Sequence, residues 1–193
     1  MKILKNILIA VVVIVFIAAV GIYFLPNHYT VSRSIEINKP ADVVYAQLSD
    51  FGKWGAWSPW QEMEPEAKVT LDGTPAQPGH KMSWDGKKLG KGDMTIVSAT
   101  ANKAVSSDLE FISPFQMKAK DYFQLEAMGD KTKVTWTDAG GLKYPMGRLF
   151  GLTMDKMLGG QYEHGLQNLK KVCEAIPAPV ATSDTTIITT ASN

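Results

Sequence analysis

MKAKDYFQLEAMGDKTKVTWT, residues 117–137, reads as two strands joined by a tight turn. In its first half Met117, Ala119, Asp121, Phe123 and Leu125 share one phase, while Lys118, Lys120, Tyr122 and Gln124 take the other. Successive side chains of a strand point to opposite faces, so this period of two gives one buried face and one wet face. Met128-Gly129-Asp130-Lys131 supplies the hairpin turn, and Lys131–Thr137 returns.

The same pattern extends upstream. Ala104–Phe111 sets Val105, Leu109 and Phe111 against Ser106, Asp108 and Glu110. Strand-like runs at about Ala67–Leu71, Lys81–Trp84 and Gly92–Thr100 precede it, and Tyr29–Ile37 alternates Val31, Arg33, Ile35 and Ile37 with Ser32, Ser34 and Glu36. Short connections between consecutive strands imply antiparallel pairing. Lys39-Pro40-Ala41-Asp42 ends the first strand and opens a helix with Val43, Val44, Ala46 and Leu48 on its apolar face. Asp50-Phe51-Gly52 then turns into a stretch holding Trp54, Trp57 and Trp60.

After Gly140-Gly141 one helical pattern runs from about Met146 to Ile176. Tyr162, Leu166, Leu169, Cys173 and Ile176 recur at spacings of three and four, a stripe that a curved sheet would bury on its concave side. Gly159-Gly160 weakens this helix, by roughly 1 kcal/mol per glycine relative to alanine. The pair marks a bend or a place where something packs close to the backbone.

The two ends differ from this middle. Residues 7–25, ILIAVVVIVFIAAVGIYFL, form an uncharged apolar run close to the length a helix needs to cross a bilayer. Lys2 and Lys5 precede it, and Tyr23 sits near its far end. By the positive-inside rule residues 1–6 stay in the cytoplasm and the domain lies outside, giving a single-pass protein of the cell membrane. A cleaved signal peptide is the rival, with Ala19 and Gly21 as its small residues. The run continues through Ile22, Phe24 and Leu25, which favours a retained anchor; both readings export the domain. A tail over 177–193, rich in Pro, Ala, Ser and Thr, is expected to be disordered.

Composition narrows the function classes. With 20 basic and 19 acidic residues and no Lys/Arg run, nothing points to nucleic acid. Cys173 is the only cysteine, which excludes an internal disulfide and a cysteine-cluster metal site. His28, His80 and His164 lack metal-ligand spacing, so no metal and no cofactor is expected; His164 borders the inward stripe, with a surface or helix-packing role as the plainer reading. Gly86-Lys-Lys-Leu-Gly90-Lys91-Gly92 falls one residue short of a phosphate loop and lacks its Ser/Thr.

Ser32-Arg-Ser-Ile-Glu-Ile-Asn-Lys-Pro40 with Val43-Val-Tyr45 and Leu48-Ser-Asp50-Phe51, the segment Trp54…Trp57-Ser-Pro59-Trp60, and Lys133-Val-Thr-Trp136 with Tyr162-Glu-His-Gly165-Leu-Gln-Asn-Leu169-Lys occur in order. Together, over about 29–176, they resemble the START-like or SRPBCC superfamily of polyketide cyclases/dehydrases and lipid-transport proteins. The resemblance implies an α+β helix-grip fold: a curved seven-stranded antiparallel sheet around a long C-terminal helix, with an apolar cavity between them. Members bind lipids, sterols, polyketides or hormones, and some are cyclases or dehydratases.

On that frame Trp84, Leu109, Phe111, Asp121, Phe123, Trp136, Met154, Met157, Leu158 and Tyr162 are expected to line the cavity, with Met146 on the same adaptable wall. Trp54, Trp57 and Trp60 form its mouth or, alternatively, pack inside. Asp121 is the one weak catalytic candidate: an inward carboxylate is desolvated and gives a ligand a polar handle. A bulge, a strand end or an ion pair with Arg33 would remove that role. The expected function is a membrane-anchored binder of a lipid or small hydrophobe; the alternatives are a cyclase- or dehydratase-like enzyme and a ligand-free envelope interaction module.

Overall fold

The computed structural model describes residues 2–177; the tail beyond Pro177, expected to be disordered, lies outside the described residues. Helix α1 (Lys2–Tyr23) precedes the domain, and its apolar stretch from Ile3 to Tyr23 is unburied. By length and composition it suits a membrane span or a signal sequence.

The domain begins with β1 (His28–Ile37) and α2 (Ala41–Leu48). A 3₁₀ turn (Phe51–Ala56) and α3 (Pro59–Met63) lead to six strands: β2 (Lys68–Asp72), β3 (Lys81–Gly86), β4 (Gly90–Thr100), β5 (Ala104–Ser113), β6 (Met117–Met128) and β7 (Lys131–Gly141). They form one antiparallel sheet in the order β1-β7-β6-β5-β4-β3-β2. The meander leaves β1 to join β7, so the chain must cross from one sheet edge to the other; α2, the 3₁₀ turn and α3 make that crossing.

The expected single helix after the sheet is two, α4 (Met146–Gly151) and α5 (Met154–Ala175). The N–H and the hydroxyl of Thr153 both donate to Phe150 O at 2.9 Å, closing α4, and Met157 N–H to Thr153 O then opens α5. Helix α5 lies across β1 and carries the buried stripe Tyr162, Leu166, Leu169 and Cys173. Gly159 is buried because the Arg33 guanidinium lies where its Cβ would be. From there Arg33 donates to Glu163 Oε1 (2.6 Å) and forks onto Asp155 Oδ1 and Oδ2 (2.9 and 3.1 Å), tying β1 to α5. Arg33 therefore does not neutralise Asp121.

The concave side is filled by aromatic rings. Trp136 stacks on Tyr162 (4.3 Å between centroids), packs against Phe123 (4.9 Å) and meets Trp57 edge-on (5.8 Å). Trp54 adds to Trp57 (4.7 Å) and donates its N–H to Leu48 O. Trp54 and Trp57 are 2% and 1% exposed, so they are core and not a lip; only Trp60 is half-buried.

Trp54→Ala is expected to cost about 3–5 kcal/mol, the loss for deleting a buried aromatic side chain, in chemical denaturation of the full chain in detergent. A loss below about 1 kcal/mol would mean that Trp54 borders space instead of filling it.

Candidate functional site

The register places three inward polar side chains in one row across the sheet. Ser107 on β5 pairs with Asp121 on β6, and Asp121 pairs with Asp138 on β7. All three are buried. Asp121 Oδ1 accepts the Trp136 indole N–H at 2.6 Å, and Trp136 in turn lies under Tyr162 of α5. Tyr29, one row nearer the start of β1, leans its ring over Gly140, where a Cβ would come within 2.6 Å, and sets its hydroxyl beside Asp138. Asp138 Oδ2 has no hydrogen-bond partner among the described residues.

Burial dominates the electrostatics of this cluster, because a low-polarity surround disfavours the charged carboxylate. Desolvation raises Asp121 well above the usual carboxylate range; the Asp138 charge adds to the rise and the Trp136 hydrogen bond opposes it. Asp138 is raised to about 6, by desolvation against the hydrogen bond from Tyr29. Burial also raises the hydroxyls of Tyr29 and Tyr162. The pair thus retains a proton at pH values where surface carboxylates are ionised. Buried, partly unpaired titratable groups of this kind mark functional-site candidates.

Two openings lie at the ends of the sheet. A partly open pocket of about 160 Å³ is lined by Pro26, Tyr29, Val31, Leu142, Leu152 and Met154, with Arg148 and Asp155 at its polar side. Tyr29 stands between this pocket and Asp138. A broader recess of about 880 Å³, lined by Pro40, Asn102, Lys103, Gln124 and Gly129 among others, is open to solvent at the opposite end. It includes the outward-phase Tyr122 and Gln124 of β6, whereas the wall of the smaller pocket contains Tyr29, whose hydroxyl lies beside Asp138, so the smaller pocket is the better candidate.

Of the expected cavity residues, Phe123, Trp136 and Tyr162 are core and Asp121 sits beneath them. Trp84, Leu109, Phe111 and Leu158 are half-buried, and Trp84 meets Phe111 edge-on at 5.8 Å. Met154 lines the small pocket, whereas Met157 is 59% exposed and lines nothing; Met146 is exposed as well. His164 is on the surface, 2.7 Å from Glu62 Oε2. His80 is buried as a structural link, accepting the Phe51 N–H at Nε2 and donating from Nδ1 to Asp72 O. The glycine-lysine turn between β3 and β4 does receive an anion, but it is the protein's own: Glu64 accepts the N–H groups of Lys87, Lys88 and Leu89 at 2.7–2.9 Å.

Sequence reading missed Asp138, Tyr29 and Ser107. Extending the β7 phase from Val134 and Trp136 by one more step would have found Asp138.

A raised acid in the folded state means that the folded chain holds a proton the unfolded chain has released. The contribution of Asp138 to stability is therefore lost as pH rises from 3.8 to about 6, by roughly 3 kcal/mol for a shift of that size. Glu62, Glu64, Asp93, Asp155 and Glu174 are held low and act with the opposite sign at lower pH, in wild type and variant alike. The stability of Asp138→Asn minus that of wild type should increase between pH 4 and pH 7, measured by denaturant unfolding. A difference that does not change with pH would refute a desolvated Asp138.

The chain matches the family described as polyketide cyclase / dehydrase and lipid transport over residues 28–174. No curated protein matches it. Among solved structures, a protein from Chromobacterium violaceum is similar at 13% identity, over 79% of this chain and 100% of its own, with a TM-score of 0.57. A protein from Mesorhizobium loti matches at 16% identity over 77% and 99%, TM-score 0.56. CalU16 from Micromonospora echinospora matches at 14% identity over 78% and 77%, TM-score 0.54. At these identities the structures share the helix-grip fold alone. With the sequence match covering the sheet, the aromatic core and α5, the chain belongs to the polyketide cyclase/dehydrase and lipid transport family.

Proposed function

We propose that the chain is a membrane-anchored binder of a lipid or another small hydrophobic molecule, received at the α1 end of the domain and not in a deep central hollow. The observation that carries this reading is the 160 Å³ pocket, apolar on most sides and placed where the chain leaves α1. A dry apolar space of about 150 Å³ accepts a molecule of benzene size, so the pocket suits a ring or the tail of an acyl chain. Sites that enclose whole drug-sized ligands span about 300–1,000 Å³. A larger ligand would therefore leave part of itself outside, against the half-exposed inward side chains Leu109 and Phe111 or the bilayer.

The anchor reading rests on the uncharged run from Ile7 to Leu25, most of it in α1, with Lys2 and Lys5 before the run. On the positive-inside rule the domain faces away from the cytoplasm. An anchored binder has a short path between a poorly soluble ligand's bilayer and its pocket.

A second reading, a cyclase- or dehydratase-like enzyme, is favoured by the buried carboxyl pair, which holds a proton near neutral pH. It requires substrate to displace Tyr29 or Trp136, and its signature is turnover lost in Asp121→Asn.

Native mass spectrometry of the full chain, extracted gently from membranes, is expected to detect a bound hydrophobic molecule. Met154→Trp, which fills the pocket, should remove it. A chain that carries no ligand from membranes and takes up none from added lipid would overturn the binding function; binding unchanged in Met154→Trp would place the ligand elsewhere.

A further inference from the structure

Helix α4 buries none of its residues and touches α1 as well as β1 and α5 of the domain. Tyr144, just before α4, donates from its hydroxyl to Ala19 O at 3.1 Å. Arg148 donates to Tyr23 O, with its guanidinium over the rings of Tyr23 (5.4 Å) and Tyr144 (5.7 Å). Ala19 precedes Tyr23 by four residues, about 6 Å along a helix axis. Tyr144 therefore reaches back alongside the last turn of the apolar run, to the depth at which interfacial aromatic and cationic side chains lie when that run spans a bilayer.

The side chains around this contact are apolar and uncovered. Phe150 is 57% and Leu152 66% exposed, although their neighbour Leu142 is buried. The strand register puts a second such group at the same end of the sheet. His28 pairs with Gly141, Ala119 with Gly140 and Phe111 with Met117, so the β5–β6 hairpin tip shares the end from which α1 departs. At that tip Phe115 is 81% exposed. The charge at this end leans positive: Lys91 and Lys118 pair with Asp85 (2.7 Å) and Glu110 (3.2 Å), which leaves Lys87, Lys88, Lys143 and Arg148 against Glu64 in the 87–89 turn and Asp155. Aromatic and aliphatic side chains flanked by Lys and Arg are the composition of surfaces that sit in the headgroup layer of an anionic membrane.

We propose that α4 and the β5–β6 hairpin tip form a second bilayer contact that seats the domain on the membrane, with Phe115, Phe150 and Leu152 in the interfacial layer. This rests on the reading of α1 as a retained span, and it turns the mouth of the 160 Å³ pocket toward lipid.

The test uses the full chain in nanodiscs of phosphatidylcholine and phosphatidylglycerol, with a lipid-borne nitroxide quencher near the headgroups. Single fluorescent labels go on Leu152→Cys, Phe115→Cys, Asp130→Cys in the far β6–β7 turn, and Val15→Cys within α1; Cys173 is buried and does not compete for label. Quenching at residues 115 and 152 should exceed that at 130 by about three-fold or more for side chains in the interface. Equal, weak quenching at 115, 152 and 130 with quenching by acyl-chain nitroxide at 15 would leave the anchor standing and overturn the second contact. Loss of quenching at 15 as well would remove the anchor, and the seat with it.

Discussion

The indole of Trp136 is the point at which the sheet, the long helix and the buried carboxyls meet. It stacks on Tyr162 of α5, packs tilted against Phe123 of β6, and donates its N–H to Asp121. An indole has one donor, and burying it without a partner is costly. Asp121 meets that requirement, and in doing so becomes a desolvated carboxyl directly opposite a second one, Asp138. The packing of the core and the raised acids are thus one arrangement. Neither can be changed without the other.

The sheet was legible because its alternation is strict. From Met117 to Leu125 every second residue is inward, and Asp121 keeps that phase in the structure. Antiparallel pairing of β2 through β7 followed from short connections, whereas the pairing of β1 with β7 did not, and the inward stripe of α5 followed from its spacing. The failures have physical causes of a different kind. The break between α4 and α5 depends on a Thr153 hydroxyl reaching a backbone carbonyl, a local bond that a hydrophobic period cannot show. Trp54 and Trp57 precede a proline and sit among turn residues, which suits a rim as well as a core; only the three-dimensional path across the concave face puts them inside. Asp138 was missed because the strand was ended at Thr137, just short of it, although β7 runs to Gly141, and Tyr29 because its role depends on the absence of a Cβ at Gly140, on a neighbouring strand.

A filled concave face changes what family membership implies here. A helix-grip domain that encloses a whole ligand needs side chains to stand back from the space between sheet and helix. In this chain Trp54, Trp57, Phe123, Trp136 and Tyr162 occupy that space, in edge-on and stacked contacts that packed aromatic rings favour. Opening it would strip several large rings of their contacts at once. The half-buried residues on the inward face, Trp84, Leu109 and Phe111, are displaced toward the β3–β4 and β5–β6 turns. What remains open is the rim.

That rim is also where the chain enters from α1, and the coincidence has a chemical consequence. The pocket at the rim is bounded by Tyr29, whose hydroxyl faces Asp138, which faces Asp121 across one strand pair. A group that settled in the pocket and moved the Tyr29 ring would alter the hydrogen bond that lowers Asp138, and so shift the protonation of that carboxyl. If the pocket binds a ligand as proposed, binding there and protonation of Asp138 would be coupled through Tyr29, and linkage would make that coupling reciprocal. A buried acid pair that looks like a liability in a packed core then has a physical reason to sit one residue behind the pocket wall.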